Sequence, residues 1–150
     1  MSDQAAGLRR WAERQAAQGS PRVLMLVGEP TLAAQLPTLA LGTLTRWQAT
    51  GQQWVGDPAR WRVVALGADT VHLHALTRQQ PRWGLWVDTD VNGFRRAYLN
   101  LRRLSEAGGP KRLLVLHPGM PSHLGLLDNL RQAAAKFLGV QLLLVDECTS

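Results

Sequence analysis

Five short runs of apolar residues, separated by segments with helical periodicity, are the feature that most constrains the fold of this chain. The runs lack the polar–apolar alternation of half-exposed strands, so they predict strands that are buried on both faces. Strands of this kind that alternate with helices form a parallel sheet covered on both sides. We therefore expect an α/β fold, a three-layer sandwich with a mainly parallel five-stranded sheet and helices on both faces. The strands are predicted at residues 23–27, 62–66, 83–87, 112–116 and 140–145.

The helices are predicted from apolar positions at helical spacing and from residues that begin or end a helix. Pro37 should kink or split the second helix. Ser122 can cap the last one, which Gly139 ends. The predicted helices cover residues 4–18, 31–47, 70–79, 92–107 and 122–139, with a polar loop at 48–60. The core faces of the last two are expected to hold Phe94, Ala97, Tyr98, Leu101 and Leu104, and then Leu127, Leu130, Ala134 and Phe137.

The length of 150 residues fits one globular domain. We expect an amphipathic N-terminal helix within residues 1–20 and a single α/β domain over 21–150. No apolar run reaches the length of a membrane span, and the N-terminus lacks the pattern of a signal peptide, so the protein is predicted to be cytoplasmic. The single cysteine, Cys148, excludes an internal disulfide and a cysteine-based zinc cluster.

Polar and acidic residues follow the predicted strands. Right-handed crossovers bring the C-termini of parallel strands to one end of the sheet. Glu29 follows the first strand, Asp88 and Asp90 follow the third, and His117 follows the fourth. Carboxylate oxygens are the ligands that Mg²⁺ prefers, so Glu29, Asp88 and Asp90 are predicted metal ligands and catalytic residues, with His117 as the best-placed histidine. The alternative is that Asp88 and Asp90 only cap the helix that follows them.

The segment from Asp88 to Gly93, followed by Ala97, resembles the D-x-D-x-x-G-x-x-x-A motif of Toprim domains, the catalytic fold of topoisomerases, bacterial primases and some nucleases. The run that ends at Glu29 is similar to the first Toprim strand with its terminal glutamate. The resemblance implies a Mg²⁺-dependent module that acts on or binds nucleic-acid phosphates. In such a module Glu29 would ligate the metal or handle protons, and Asp88 and Asp90 would be metal ligands.

The β-α order and the run from Leu76 to Asp88 also resemble a response-regulator receiver domain, with Asp88 at the phosphoacceptor position. Receivers carry an acidic pair after the first strand, Ser or Thr after the fourth and Lys after the fifth. Here those places hold Glu29 alone, His117 and Asp146. This resemblance therefore implies a non-catalytic module, receiver-like or ATPase-like, that binds a protein partner in a regulatory or assembly role.

Three common catalytic motifs are missing from the sequence. There is no G-x-x-x-x-G-K-[ST] segment, which excludes nucleotide hydrolysis of the P-loop type. No G-x-G-x-x-G follows the first strand, which argues against a dinucleotide site. No serine elbow for acyl chemistry is present.

The net charge and the tryptophan content of the chain indicate which kinds of partner it can bind. The net charge of +6 allows nucleic acid or an acidic protein surface as a partner, although arginines on solvated helix faces would give the same value. Six tryptophans are many for this length, and five lie between residues 47 and 86. They form either core or a contact surface. Trp47, Trp54 and Trp61 are the predicted partner-binding residues.

Overall fold

A computed structural model gives the protein a five-stranded parallel sheet. The structure describes residues 22–29, 34–88, 91–118 and 124–145, so the helix predicted within residues 1–20 lies outside the described residues. The strands are β1 (Arg22–Val27), β2 (Trp61–Leu66), β3 (Trp83–Trp86), β4 (Arg112–Leu116) and β5 (Gln141–Leu143). The five predicted strands are confirmed, with ends that shift by at most 2 residues.

The spatial order of the strands is β2-β1-β3-β4-β5. β1 pairs in parallel with β2 on one side and with β3 on the other. β2 therefore lies on one side of β1, and the three later strands lie on the other. The direction in which strands are added reverses between β1 and β3. In open parallel sheets such a reversal leaves a crevice outside the carboxyl ends of the two strands.

Four α-helices lie in the described part of the chain. They are α1 (Leu36–Ala49), α2 (Leu73–Gln79), α3 (Val91–Glu106) and α4 (Leu124–Ala133). The predicted polar loop contains two single-turn 3₁₀ helices, and α4 continues into a π-helical turn over Ala134–Leu138. None of the described helices combines the length and the apolar character needed to cross a membrane.

The two faces of the sheet carry separate cores because successive strand side chains point to opposite sides. Met25 and Val27 of β1 belong to one core, which the apolar faces of α2, α3 and α4 complete. Leu24 and Leu26 belong to the other, which includes the buried side of α1. Helices therefore cover both faces, and the predicted α/β sandwich is confirmed.

The expected kink at Pro37 is wrong. The described helix begins at Leu36, so Pro37 stands in its first turn. The amide of a first-turn residue has no acceptor within the helix, and the fixed φ of proline already suits a helix start. Pro37 therefore begins α1 instead of interrupting it.

The placement of Phe137 on the core face is also wrong. Its residue surface is 66% exposed, whereas Leu127, Leu130 and Ala134 are buried as predicted. A π-helical turn holds more residues than an α-helical turn, so the side chains that follow it are rotated about the axis. Leu138 packs against the core in place of Phe137.

Charged residues are segregated between the two ends of the strands. Basic residues open or directly precede β1 to β4, namely Arg22, Arg60, Arg82, Lys111 and Arg112. Acidic residues follow β1, β2 and β3, namely Glu29, Asp69 and Asp88. Helices that return across a parallel sheet begin at its carboxyl end, where their dipoles favour acidic groups, and finish at its amino end, where they favour basic ones. The residues that flank the described strands are thus basic at the amino end of the sheet and acidic at its carboxyl end.

Candidate functional site

Glu29 and Asp88 lie on either side of the point where the strand order reverses. Val27 and Leu85 are paired in the β1–β3 ladder, and the two acidic residues follow shortly after this pair. Ligands of doubly wound sheets bind in the crevice at this position. The strand order therefore places both carboxylates at the location where a site is most expected.

Arg96 of α3 joins the two carboxylates. Its Nε lies 3.4 Å from Glu29 Oε1, and its Nη2 lies 3.6 Å from Asp88 Oδ2. All three side chains are partly exposed, with 28–34% of their surface accessible. Ion pairs this exposed contribute about 0–1 kcal/mol each. The arrangement therefore matters more for where it holds two negative charges than for stability.

Asp88 has a second contact that fixes its orientation. The indole Nε1 of Trp86 donates a hydrogen bond to Asp88 Oδ1, at 2.9 Å. Residues two apart in an extended segment share a face, so the last residue of β3 reaches the carboxylate directly. One oxygen of Asp88 thus faces an indole N–H and the other faces the guanidinium of Arg96.

Gly93 allows α3 to begin close to Asp88. A Cβ atom added at Gly93 would lie 2.4 Å from the backbone oxygen of Asp88, which is far inside van der Waals contact. The first turn of the helix therefore packs directly on the backbone of Asp88. This approach brings Arg96, one turn further along the helix, within reach of both carboxylates.

Neither Gly93 nor Arg96 was assigned a contact by sequence reasoning. Gly93 belongs to the D-x-D-x-x-G pattern, but the pattern does not say what the glycine approaches. Arg96 looks like one of several solvated helix arginines. A usable signal is its place in the first half of a helix that starts beside acidic residues, because a long basic side chain there can reach back to them.

His117 follows β4 and is 4% exposed. Its backbone oxygen accepts hydrogen bonds from Thr43 Oγ1 at 2.9 Å and from Arg46 Nη2 at 3.2 Å. Its ring meets the ring of Trp47 edge-on, with centroids 6.4 Å apart. These contacts dock α1 on the carboxyl end of β4, and a role of His117 in the site stays a prediction.

Two of the three predicted partner-binding tryptophans are buried. Trp47 is 0% and Trp61 is 4% exposed, whereas Trp54 keeps part of its surface in water. The rings form a row, with centroids 6.0 Å apart from Trp47 to Trp54 and 6.5 Å apart from Trp54 to Trp61. Trp47 and Trp61 are therefore core residues, which corrects their assignment to a contact surface. A partner contact stays a prediction for Trp54.

The predicted metal ligands are described only in part. Glu29 and Asp88 are brought together, and Asp90 lies outside the described residues. Within those residues, no cluster of three or more His, Cys, Asp or Glu side chains is close enough to hold a metal ion. In the described residues, the candidate site therefore consists of two carboxylates around one guanidinium.

Comparison of the chain with protein families, with curated proteins and with solved structures finds no match.

Proposed function

We propose that the carboxyl end of the sheet binds Mg²⁺ and that the domain acts on, or binds, nucleic-acid phosphates there in the manner of a Toprim-like module. The observation that carries the proposal is the convergence of Glu29 and Asp88 on Arg96 at the strand-order reversal. Ligands of such sheets bind in this crevice, and here the Arg96 guanidinium holds two carboxylates there. Two carboxylates so close together attract a positively charged ligand.

The donor set suits a hard divalent cation. Mg²⁺ in proteins is commonly held by one or two carboxylates, with water and substrate phosphates completing its coordination. Glu29 and Asp88 would supply the carboxylates, and the Toprim resemblance adds Asp90. A cation bound there would polarise a phosphoryl oxygen. Arg96 adds a guanidinium, whose planar donors match phosphate geometry, and the net charge of +6 favours a polyanionic substrate.

Mg²⁺ titration of the wild-type chain, followed by NMR of the backbone amides, tests the proposal. We expect Mg²⁺ to shift the amide signals of Glu29 and Asp88, and Glu29→Gln and Asp88→Asn to weaken its binding on the order of tenfold or more, as expected for loss of about 1.4 kcal/mol. Asp69→Asn is the matched control, because Asp69 is an exposed acid that follows β2 at the same end of the sheet. In Mg²⁺-dependent nuclease or nucleic-acid binding assays, Glu29→Gln and Asp88→Asn should likewise lower the signal, and Asp69→Asn should leave it unchanged. Unchanged amide signals at millimolar Mg²⁺, or equal weakening in Asp69→Asn, would refute the metal site.

A second candidate is a non-catalytic module that binds a protein partner in a regulatory or assembly role. The contacts of Arg96 favour it, because the guanidinium already places a positive charge against both carboxylates. In this case the Glu29–Arg96–Asp88 cluster fixes α3 against the ends of β1 and β3. Trp54, which keeps part of its surface in water, would then be a contact for the partner.

Arg96→Gln separates the two candidates. Removing the guanidinium takes away the positive charge that lies 3.4 Å from Glu29 and 3.6 Å from Asp88. A unit charge about 4 Å away near a protein surface contributes roughly 1–4 kcal/mol. If the site binds Mg²⁺, we expect this variant to bind it on the order of tenfold more tightly and to gain thermal stability when Mg²⁺ is added. If the cluster is structural, the variant should lose about 1 kcal/mol of stability and show no response to Mg²⁺.

A further inference from the structure

A cavity of about 330 Å³ opens at the amino end of the sheet, at the opposite end of the strands from Glu29 and Asp88. Lys111 and Arg112, at the start of β4, supply its charged lining. Thr77 and Gln80 line it from the end of α2, together with Trp83 and two prolines. Its volume lies at the lower end of the range for small-molecule sites.

The walls of this cavity are held in place by contacts of the fold. Trp83 is 1% exposed, and its Nε1 donates a hydrogen bond to the backbone oxygen of Gln80 at 2.8 Å. Pro81 and Pro110 restrict the backbone beside it. The backbone oxygen of Lys111 accepts a hydrogen bond from the amide of Gln141, at 2.8 Å. The cavity is therefore largely formed before any ligand binds.

The charge of the lining is positive. Lys111 and Arg112 are both exposed, and no lining residue is acidic. Arg112 Nε donates to Gln141 Oε1 at 3.2 Å, which orients the guanidinium. Arg82 lies beside the lining in sequence. Burial lowers the pKa of its guanidinium, and the positive charge of Arg22 lowers that pKa further.

Basic groups near the end of a helix often serve only to satisfy its last carbonyls. Here two carbonyls at this end of α2 have other donors. The oxygen of Leu76 accepts from the amide of Gln80, and that of Gln80 accepts from Trp83 Nε1. The charges of Lys111 and Arg112 are thus not required by these carbonyls of α2.

We propose that this cavity binds a small phosphate monoester. A phosphate monoester carries a charge of about −1.5 to −2 at neutral pH, which Lys111 and Arg112 together can neutralise. An arginine fork binds two phosphate oxygens at once, and lysine supplies a compact point charge. The remainder of the ligand would lie against Trp83 and the prolines. Trp83 lines the cavity at the start of β3, and Asp88 follows five residues later, roughly 16 Å away at the rise of an extended chain. This site is therefore separate from the one at the carboxyl end.

Titration of the wild-type chain with adenosine 5′-monophosphate, and separately with inorganic phosphate, tests the proposal by NMR of the Trp83 indole and Gln80 amide signals. Two charge-assisted hydrogen bonds to the phosphate predict a Kd on the order of 1 mM or tighter. Adenosine, which lacks the phosphate, should leave the signals unchanged. No shift with either phosphate ligand, or equal shifts with adenosine, would overturn the proposal.

Lys111→Gln and Arg112→Gln should each weaken phosphate binding on the order of tenfold. Arg62→Gln is the matched control, because Arg62 is an exposed arginine at the start of β2 and its loss changes the net charge equally. Equal weakening in the control would show a non-specific charge effect and contradict the site. Oligonucleotide binding that depends on Lys111 and Arg112, without any response to the small phosphates, would also overturn the proposal and assign this end to nucleic-acid contact.

Discussion

Trp47→Ala is expected to lower the free energy of unfolding by about 3–5 kcal/mol, the usual cost of deleting a buried aromatic side chain. Trp47 is fully buried in the core between α1 and the sheet, and its ring lies between those of Trp54 and His117. Because domains are typically stable by only about 5–15 kcal/mol, the loss is a large share of the total. Thermal unfolding followed by circular dichroism should show a Tm lower by roughly 6–20 °C.

Trp54→Ala is the control for this prediction, because Trp54 belongs to the same row of rings but keeps part of its surface in water. The loss of stability in Trp54→Ala should be clearly smaller than in Trp47→Ala.

Replacing each buried tryptophan by phenylalanine tests the hydrogen bonding of its indole. Trp47 Nε1 is buried without a hydrogen-bond acceptor in the described residues, whereas Trp61 Nε1 donates to the backbone oxygen of Val55 at 2.8 Å. Trp47→Phe should therefore cost about 1 kcal/mol less than Trp61→Phe, and the reverse order would contradict these burial and bonding assignments.

Gly93→Ala is expected to destabilise the protein by about 1–3 kcal/mol, the usual cost of forcing a methyl group into a packed position. Alanine is normally the better helix residue by about 1 kcal/mol, but here its methyl group would meet the backbone oxygen of Asp88 at 2.4 Å. Backbone atoms cannot move aside as a flexible side chain does, so the clash outweighs the gain in propensity. The start of α3 must shift, which moves Asp88 and Arg96 relative to each other. Urea denaturation and the amide signals of the Glu29–Arg96–Asp88 cluster measure both effects.

Gly42→Ala is the matched control for Gly93→Ala and is expected to have the opposite effect on stability. Gly42 lies inside α1, is exposed, and has open space where a Cβ would be added. This substitution should stabilise the protein by up to about 1 kcal/mol, because it raises the helix propensity and lowers the conformational entropy of the unfolded chain without a steric clash. If Gly93→Ala also stabilised the protein, the close approach of α3 to Asp88 would be wrong.

The strands could be predicted from the sequence because a parallel strand buried on both faces must be apolar at every position. The run Leu24 to Val27 contributes to two cores at once, and β3, β4 and β5 also place residues in both. Helix details were harder. Pro37 fits the start of a helix as well as a kink, and the π-helical turn that exposes Phe137 leaves no mark in the apolar spacing.

The candidate site was predictable in position but not in its contacts. Glu29 and Asp88 were expected to share one end of the sheet, since parallel strands finish together. Their adjacency required the strand order, which brings β1 beside β3 and which periodicity alone does not contain. The ion pairs of Arg96 depend on how closely α3 approaches the sheet, and that distance is set by packing at Gly93.

The separation of basic and acidic residues between the two ends of the sheet has a consequence for encounters in solution. A domain with oppositely charged ends has a dipole moment, so a charged partner exerts a torque on it before contact. A polyanion would meet the basic amino end first, whereas at the carboxyl end Arg96 offsets part of the charge of Glu29 and Asp88. Screening limits this orientation to the last ~8 Å of approach at physiological salt. Ionic strength would therefore decide which end of the domain a partner finds first.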